Sequence, residues 1–288
     1  MYEQFYGLRE KPFALAPNPA FLYLSRHHRH ALTLLEYSIL QQAGFAVITG
    51  EVGCGKTTVV QRFLAGKPEG LRVGLLCNTH ARIGPLLPWV LDALEVPVGT
   101  HRAEASHELH RLLVDFLRKS YAEGRRTLLV IDEAQNLPLA ALEELRVLSN
   151  VNTGQDLLLQ TILIGQPELR AMLRRPRMRQ FAQRIVVDYH LGPLQREETH
   201  AYIAHRLEVA GASSALVSGD AIELVHESTQ GVPRLVNLLC DTALVYGFAE
   251  QRPCVDAALI EQVLADRAGG ILPLKASPRA AADVIVQG

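Results

Sequence analysis

Five short apolar runs lie in the first two thirds of the chain, and helical patterns separate them. The runs are FAVITG (45–50), RVGLLCNT (72–79), TLLVIDEA (127–134), LLLQTILIG (157–165) and VVDYHLGPL (186–194). Their apolar positions are nearly continuous rather than alternating, which is typical of parallel strands covered by helices on both faces. We therefore predict a parallel five-stranded sheet in a doubly wound α/β arrangement.

Apolar residues at helical spacing mark the segments between and after these strands. One stripe consists of Leu109, Leu112, Leu113, Phe116, Leu117 and Tyr121, and it predicts an amphipathic helix. After Pro193 the strand pattern stops, and helices are predicted near 196–211, 220–230, 233–250 and 256–267. The predicted domains are an N-terminal strap with the α/β domain over 1–195, a small all-α domain over 196–268 and a flexible tail over 269–288.

Composition indicates a globular protein and gives little information about partners. Hydrophobic residues make up 48% and charged residues 20%, and 29 Lys and Arg balance 30 Asp and Glu. The chain therefore has almost no net charge, so its composition does not favour binding to nucleic acid or to a membrane surface. Four cysteines without a CxxC pair favour a reducing compartment. No run resembles a signal peptide or a membrane span, so we expect a cytoplasmic protein.

The segment GEVGCGKT lies directly after the first predicted strand and before a helix. It fits the pattern G-x-x-x-x-G-K-[ST]. Glycines allow successive N–H groups to face phosphate oxygens, and the following helix adds the positive end of its dipole. The predicted ATP contacts in this loop are Gly50, Glu51, Val52, Gly53, Cys54, Gly55, Lys56, Thr57 and Thr58. Lys56 is predicted to reach the β- and γ-phosphates and Thr57 to bind Mg²⁺; a glycine-rich turn with a surface lysine is the alternative.

Two carboxylates follow the third apolar run. LLVI forms a buried strand and leaves Asp132 and Glu133 at its carboxyl end, where α/β sheets bind ligands. We predict that Asp132 holds Mg²⁺ through water, and that Glu133 orients and deprotonates the attacking water. A helix N-cap is the alternative for such a pair, but the neighbouring loop favours catalysis of hydrolysis.

With these motifs, the chain resembles the AAA+ ATPases, specifically the ExeA-like ATPases of bacterial secretion and pilus systems. The opening residues MYEQFYGLREKPFALAPNPAFLYLSRHHRHAL and the later segments ILIGQPELR and GVPRLVN are similar to that family's motifs. The resemblance covers about residues 1–267. It implies a P-loop NTPase domain with an all-α lid, Mg²⁺-dependent ATP hydrolysis, a homo-oligomer, and a partner in an envelope secretion or pilus system. A stand-alone ATPase without the family's membrane span is expected.

The resemblance also implies roles for three polar residues outside the loop. Gln166 stands where a sensor-1 residue contacts the γ-phosphate or the attacking water, which implies a catalytic role. Asn78 stands where a polar residue can hold the catalytic glutamate inactive. Arg234 in GVPR resembles the sensor-2 arginine, a nucleotide contact carried on the lid, with a surface arginine as the alternative.

A basic segment, LRRPRMRQFAQRI, lies between the fourth and fifth predicted strands. AAA+ proteins carry an arginine finger in this region, which stabilises the transition state in the neighbouring subunit's site. Arg184 is the first candidate for this catalytic role and Arg179 the second. The other arginines are expected to form a solvated helix face.

Two further functions stay open at the level of sequence. A DNA-bound AAA+ regulator of transposition would use the arginine-rich segment, although the balanced charge disfavours it. A nucleotide-gated scaffold would bind ATP but scarcely hydrolyse it.

The aromatic N-terminal residues, including Phe13, would lie over the adenine or pack as a strap on the core.

Overall fold

Two compact units make up the chain in this computed structural model, which describes residues 1–16, 18–77, 84–97, 106–212 and 214–268. The α/β unit is His28–Leu191, and the helical unit combines Met1–His27 with the chain from Gly192 onward. The N-terminal strap thus groups with the C-terminal helices rather than with the sheet. As functional domains, the ranges 1–195, 196–268 and 269–288 stay a prediction, and 269–288 lie outside the described residues.

A five-stranded sheet forms the centre of the α/β unit. Its strands are β1 (Phe45–Gly50), β2 (Leu71–Leu76), β3 (Arg126–Ile131), β4 (Leu159–Gly165) and β5 (Ile185–Leu191). They lie in the order β2-β3-β4-β1-β5, and each neighbouring pair is parallel. The predicted parallel five-stranded α/β fold is confirmed.

The burial of each strand follows from its place in the sheet. Every residue of β1 and β4 is buried, as is every residue of β3 after Arg126. The edge strands β2 and β5 are only partly buried, and Val186 of β5 is 54% exposed. Continuous apolar runs therefore correspond to the central strands, where helices cover both faces.

The third strand ends where the apolar residues LLVI end. The run TLLVIDEA extends to residue 134, but β3 ends at Ile131, as LLVI predicts. The backbone of Glu133 enters the left-handed region, with φ 52° and ψ 37°, and Ala134–Asn136 form a 3₁₀ turn. This change of direction places Asp132 and Glu133 at the end of the sheet rather than within it.

Helices cover the sheet. They are α1 (Arg26–Leu40), α2 (Lys56–Ala65), α3 (Leu87–Ala93), α4 (Ser106–Ala122), α5 (Leu139–Leu148), α6 (Pro167–Leu173) and α7 (Arg179–Ala182). The stripe predicted for α4 packs on the core through Leu113 and Leu117. Tyr121, the last residue of that stripe, is exposed, and its hydroxyl donates to Asp156 at 2.5 Å.

Four long helices form most of the helical unit. They are α8 (Arg196–Val209), α9 (Gly219–Thr229), α10 (Pro233–Ala249) and α11 (Ala257–Arg267). Side-chain caps define two of the starts, because Ser218 accepts from the N–H of Ala221 and Asp256 from that of Leu259. These caps, and the proline at the first position of α10, explain why the starts of these helices were predictable.

The N-terminal strap completes the core of the helical unit. Tyr2, Leu8, Phe13 and Phe21 are buried in one cluster with side chains of α8 to α11. Phe13 has 0% of its surface exposed. Packing on the core, one of the two roles left open for these aromatic residues, is therefore the one that the structure supports.

Arg206 of α8 holds the strap in place. This buried guanidinium donates to the carbonyl oxygen of Pro12, and to that of Ala14 at 3.3 Å. It also donates to the hydroxyl of Tyr202 at 2.9 Å and lies 4.9 Å from the centre of the Phe21 ring. The charge is thus satisfied by strap carbonyls and aromatic faces, which fixes the path of the strap.

Candidate functional site

The glycine-rich loop connects β1 to α2. Gly55 precedes the first residue of α2 with φ 91°, a conformation that favours glycine. A Cβ atom at Gly55 would lie 2.5 Å from Nε2 of His28, so there is also no space for a side chain. His28 is buried, and its Nε2 lies 3.1 Å from the carbonyl oxygen of Cys54. The buried imidazole therefore supports the loop from beneath.

Lys56 is folded over this loop. Its side chain is buried, with 6% exposed, and Nζ donates to the carbonyl oxygens of Gly50 at 2.8 Å and Glu51 at 3.0 Å. Both bonds place the ammonium group inside the curve of the loop. A polyphosphate bound to the loop N–H groups would meet this positive charge, as predicted for the P-loop lysine.

The remaining loop residues differ in exposure. Glu51, Val52 and Thr57 are exposed, whereas Thr58 is partly buried. Cys54 is fully buried, and its burial raises the pKa of the thiol, although Lys56 opposes this effect. Because the thiolate is disfavoured, Cys54 is a structural rather than a reactive cysteine.

A hydrogen bond joins the first turn of α2 to the residue that follows β3. The Thr57 hydroxyl donates to Oδ2 of Asp132 at 3.0 Å, and Oδ1 of Asp132 accepts from the N–H of Glu133 at 2.8 Å. The structure thus brings together the two residues predicted to hold Mg²⁺. A hydroxyl beside a carboxylate is a set of hard oxygen donors, which suits Mg²⁺.

Two amide side chains hold the carboxylate of Glu133. Its Oε2 accepts from Nε2 of Gln135 at 2.5 Å and from Nε2 of Gln166 at 3.3 Å. Oε1 of Gln135 in turn accepts from the backbone N–H of Gln166 at 3.0 Å. Gln135 therefore connects the end of β3 to the end of β4 and fixes the direction of the Glu133 carboxylate.

Gly165 makes room for this connection. A Cβ atom at Gly165 would lie 2.8 Å from Oε1 of Gln135 and 2.8 Å from a methyl carbon of Leu169. The last residue of β4 therefore has to be glycine for Gln135 to reach the backbone of Gln166.

Sequence reasoning did not identify Gln135 or His28 as part of the site. Gln135 lies between the buried residues Ala134 and Leu137, and a polar side chain in such surroundings is a weak signal that it has a partner. His28 belongs to the histidine-rich segment HHRH, whose sequence does not point to the loop. Among the described residues there is no group of three or more side chains arranged to hold a metal ion.

The predicted arginines have different surroundings. Arg184 donates to the carbonyl oxygen of Arg146 at 3.1 Å, to the hydroxyl of Ser149 at 2.7 Å, and to the side chain of Asn150. These acceptors lie at the C-terminal end of α5, where a cation is favourable. Arg179 is exposed on α7, and Arg234 is exposed in the first turn of α10. Asn78 lies outside the described residues.

The sheet order, the loop around Lys56 and the acidic end of β3 are those of an AAA+ ATPase. Consistent with this class, residues 39–173 match the profile of the AAA domain family. The chain is 42% identical over 249 residues to the general secretion pathway protein A of Aeromonas hydrophila, and the match covers 86% of this chain. Together, these two matches support an ExeA-like AAA+ ATPase, as the sequence motifs predicted.

The match covers 45% of the Aeromonas protein, so the chain spans about half the length of that relative. None of the described helices is long and apolar enough to cross a membrane.

Several solved structures share the fold. The ORC2 protein of Aeropyrum pernix, solved with ADPNP and ADP, has a TM-score of 0.64 at 20% identity, covering 89% of this chain and 71% of that chain. Cdc6p of Pyrobaculum aerophilum has a TM-score of 0.66 at 15% identity, covering 89% and 73%. A Walker-type ATPase of Pyrococcus abyssi has a TM-score of 0.60 at 15% identity, covering 96% and 79%.

Proposed function

We propose that this protein is a cytoplasmic, Mg²⁺-dependent ATPase that assembles as a homo-oligomer and drives the assembly or remodelling of a cell-envelope export system. The observation that carries the hydrolytic part is the Glu133 carboxylate, which two amides hold beside the Thr57–Asp132 pair. The export role is supported by the 42% identity to general secretion pathway protein A.

The nucleotide would be held mainly by backbone and by Lys56. Loop N–H groups and the start of α2 favour phosphate oxygens, and Lys56 would lie against the β- and γ-phosphates. Thr57 and Asp132 would hold Mg²⁺. When bound, Mg²⁺–ATP supplies a γ-phosphoryl group whose developing negative charge the metal and lysine stabilise.

Glu133 would act as the general base. A carboxylate that accepts a proton from water has to face the attacking position with a free lone pair. Gln135 and Gln166 both donate to Oε2, which fixes the direction in which the Glu133 carboxylate faces. Gln166 would thus couple the end of β4 to the base, in agreement with the sensor-1 role that the resemblance implies.

Replacing Gln135 by leucine should lower kcat by about tenfold to a hundredfold while KM for ATP changes less than about threefold. The variant removes the donor that orients Glu133 but leaves the loop and Lys56 intact. Steady-state ATPase assays would separate the two parameters. The matched control is Gln183→Leu, an exposed glutamine in the same unit, which should change neither. A rise in KM with unchanged kcat would contradict the orienting role.

We place Arg184 as the arginine finger, with Arg179 as the second candidate. Positive charge supplied by one subunit to the next subunit's γ-phosphate would make hydrolysis depend on assembly. To act in this way, the Arg184 guanidinium would exchange its bonds to the end of α5 for the phosphate. Its acceptors there are neutral oxygens, so a phosphate competes favourably with them.

Mixing Arg184→Ala subunits with Glu133→Gln subunits should restore part of the ATPase activity, because each intact base can then receive an intact arginine. Ser149→Ala is the control, since it removes an acceptor of Arg184 but keeps the charge. If Arg184 serves only to cap α5, Ser149→Ala and Arg184→Ala should lower thermal stability alike, and mixing should restore nothing.

The export role can be tested with Glu133→Gln protein held in Mg²⁺–ATP. Co-purification from cells should enrich an envelope protein in an ATP-dependent manner, and this protein should be absent with Lys56→Ala. Enrichment of the same proteins by both variants would contradict an ATP-gated export partner.

DNA-dependent regulation is the second candidate, and one observation favours it. Residues 170–188 contain six arginines and a single acidic residue, Asp188. The expected signature is an ATP-dependent shift of duplex DNA that weakens steeply with salt. If the protein does not bind duplex DNA even at low salt, this function is excluded.

A further inference from the structure

A cleft of about 370 Å³ opens in the α/β unit between the sheet and the segment from α6 to α7. Its apolar wall includes Val47 of β1, Leu173 of α6 and Ile185 of β5. None of these residues belongs to the glycine-rich loop or to the acidic end of β3. The cleft is therefore separate in composition from the proposed ATP site.

Four arginines surround this apolar wall: Arg170, Arg174, Arg175 and Arg179. Only Arg170 has a carboxylate partner there, because its Nε and Nη2 donate to Oδ2 of Asp188 at 3.2 and 3.0 Å. Within the described part of the chain, the other three guanidinium groups make no hydrogen bond and no ion pair. The cleft thus has an excess of positive charge that the described residues do not balance.

The composition of the cleft identifies the chemistry of a ligand. Guanidinium groups bind phosphate oxygens in a bidentate manner and also stack on planar rings. Apolar side chains beside them favour a ligand with an apolar or planar part. A concave site of this volume matches a small molecule, since pockets for such ligands range from about 300 to 1,000 Å³. Duplex DNA would instead require an extended basic face.

We propose that this arginine cleft is a second ligand site, which takes a small phosphate ester with a planar or apolar body, such as a nucleoside monophosphate. Arg174 and Arg175 bind the phosphate, and the body of the ligand lies against Val47, Leu173 and Ile185. The site does not depend on the proposed ATPase cycle.

AMP is a suitable probe, and inorganic phosphate reports the contribution of the anion alone. Calorimetry with AMP is done on the unsubstituted protein and repeated with Lys56→Ala protein, in which the glycine-rich loop should not bind nucleotide, so that binding at the loop and binding in the cleft are distinguished. The double variant Arg174→Gln, Arg175→Gln should raise the Kd for AMP by at least about tenfold. Inorganic phosphate should bind more weakly than AMP because it lacks the planar body.

Arg177→Gln is the matched control, because Arg177 is exposed in the same segment but does not line the cleft. It should change the Kd by less than about twofold. The pair Arg174→Lys, Arg175→Lys keeps the charge and loses the bidentate geometry, so it should also weaken AMP binding.

Three results would overturn the proposal. The first is no heat with AMP up to millimolar concentration. The second is an equal loss of affinity in Arg177→Gln, which would indicate general electrostatic attraction. The third is binding of an acidic peptide or of duplex DNA that depends on Arg174 and Arg175, while AMP does not bind; the segment would then be a surface for a macromolecule.

Discussion

Replacing Lys56 by alanine is expected to weaken Mg²⁺–ATP binding by at least about a hundredfold and to abolish measurable ATP turnover. The ammonium group is buried and donates to two loop carbonyl oxygens, those of Gly50 and Glu51. Alanine removes this charge and leaves the carbonyl dipoles facing the phosphates. Hydrogen bonds to charged groups contribute about 1.5–3 kcal/mol each, so losing two charged contacts to phosphate is sufficient for the expected loss.

Isothermal calorimetry with Mg²⁺–ATP and a phosphate-release assay would measure the two effects of Lys56→Ala. Lys67→Ala is the matched control, because Lys67 is an exposed lysine shortly after α2. It should bind and hydrolyse ATP like the unsubstituted protein. Equal affinities for ATP in the Lys56→Ala and Lys67→Ala proteins would mean that the glycine-rich loop does not bind the triphosphate.

The second large effect is expected for Glu133→Gln, which should lower kcat by about 10²–10⁴-fold while ATP affinity stays within a few-fold. Glutamine has nearly the same shape and keeps a carbonyl oxygen that can accept from Gln135 and Gln166. It cannot take a proton from water, so binding and chemistry separate. The contacts that we propose between the nucleotide and Lys56 and Thr57 should be unaffected.

Single-turnover measurements with Glu133→Gln would test this separation directly, because they report hydrolysis of bound ATP without product release. Glu36→Gln makes the same change of charge on the exposed face of α1 and should leave kcat unchanged. A Glu133→Gln protein that hydrolyses ATP at the normal rate would require a different base.

The elements of the proposed ATP site that could be predicted are those that a short stretch of sequence determines. A buried strand, a glycine-rich loop and a helix follow one another within residues 45–65, so Lys56 and Thr57 have their places fixed by local structure. The same holds for Asp132, which directly follows the apolar strand β3. Local sequence does not provide the strand order, in which β4 lies between β3 and β1.

Long-range contacts explain what the sequence could not provide. Gln135 acquires its role through Gln166, a residue that is distant in sequence, and through the left-handed backbone of Glu133. His28 lies beneath the loop because α1 packs there. In both cases the side chain is ordinary in its local sequence, and only the tertiary fold reveals the partner.

The arginine-rich segment shows the same limit. Its charge is evident from composition, but the sequence does not distinguish Arg184, which contacts the end of α5, from Arg174 and Arg175, which line a cleft. Likewise, the aromatic density of the strap predicted burial without indicating the helices that provide it.

The attachment of the strap has a consequence for biosynthesis. The first 27 residues leave the ribosome long before α8 to α11, and the entire α/β unit is translated in between. Until Arg206 and its neighbours emerge, the aromatic side chains of the nascent strap have no native surface to cover them. The α/β unit can fold during elongation, whereas the helical unit can close only after α8 to α11 have been translated, which makes the emerging strap a natural binding segment for chaperones.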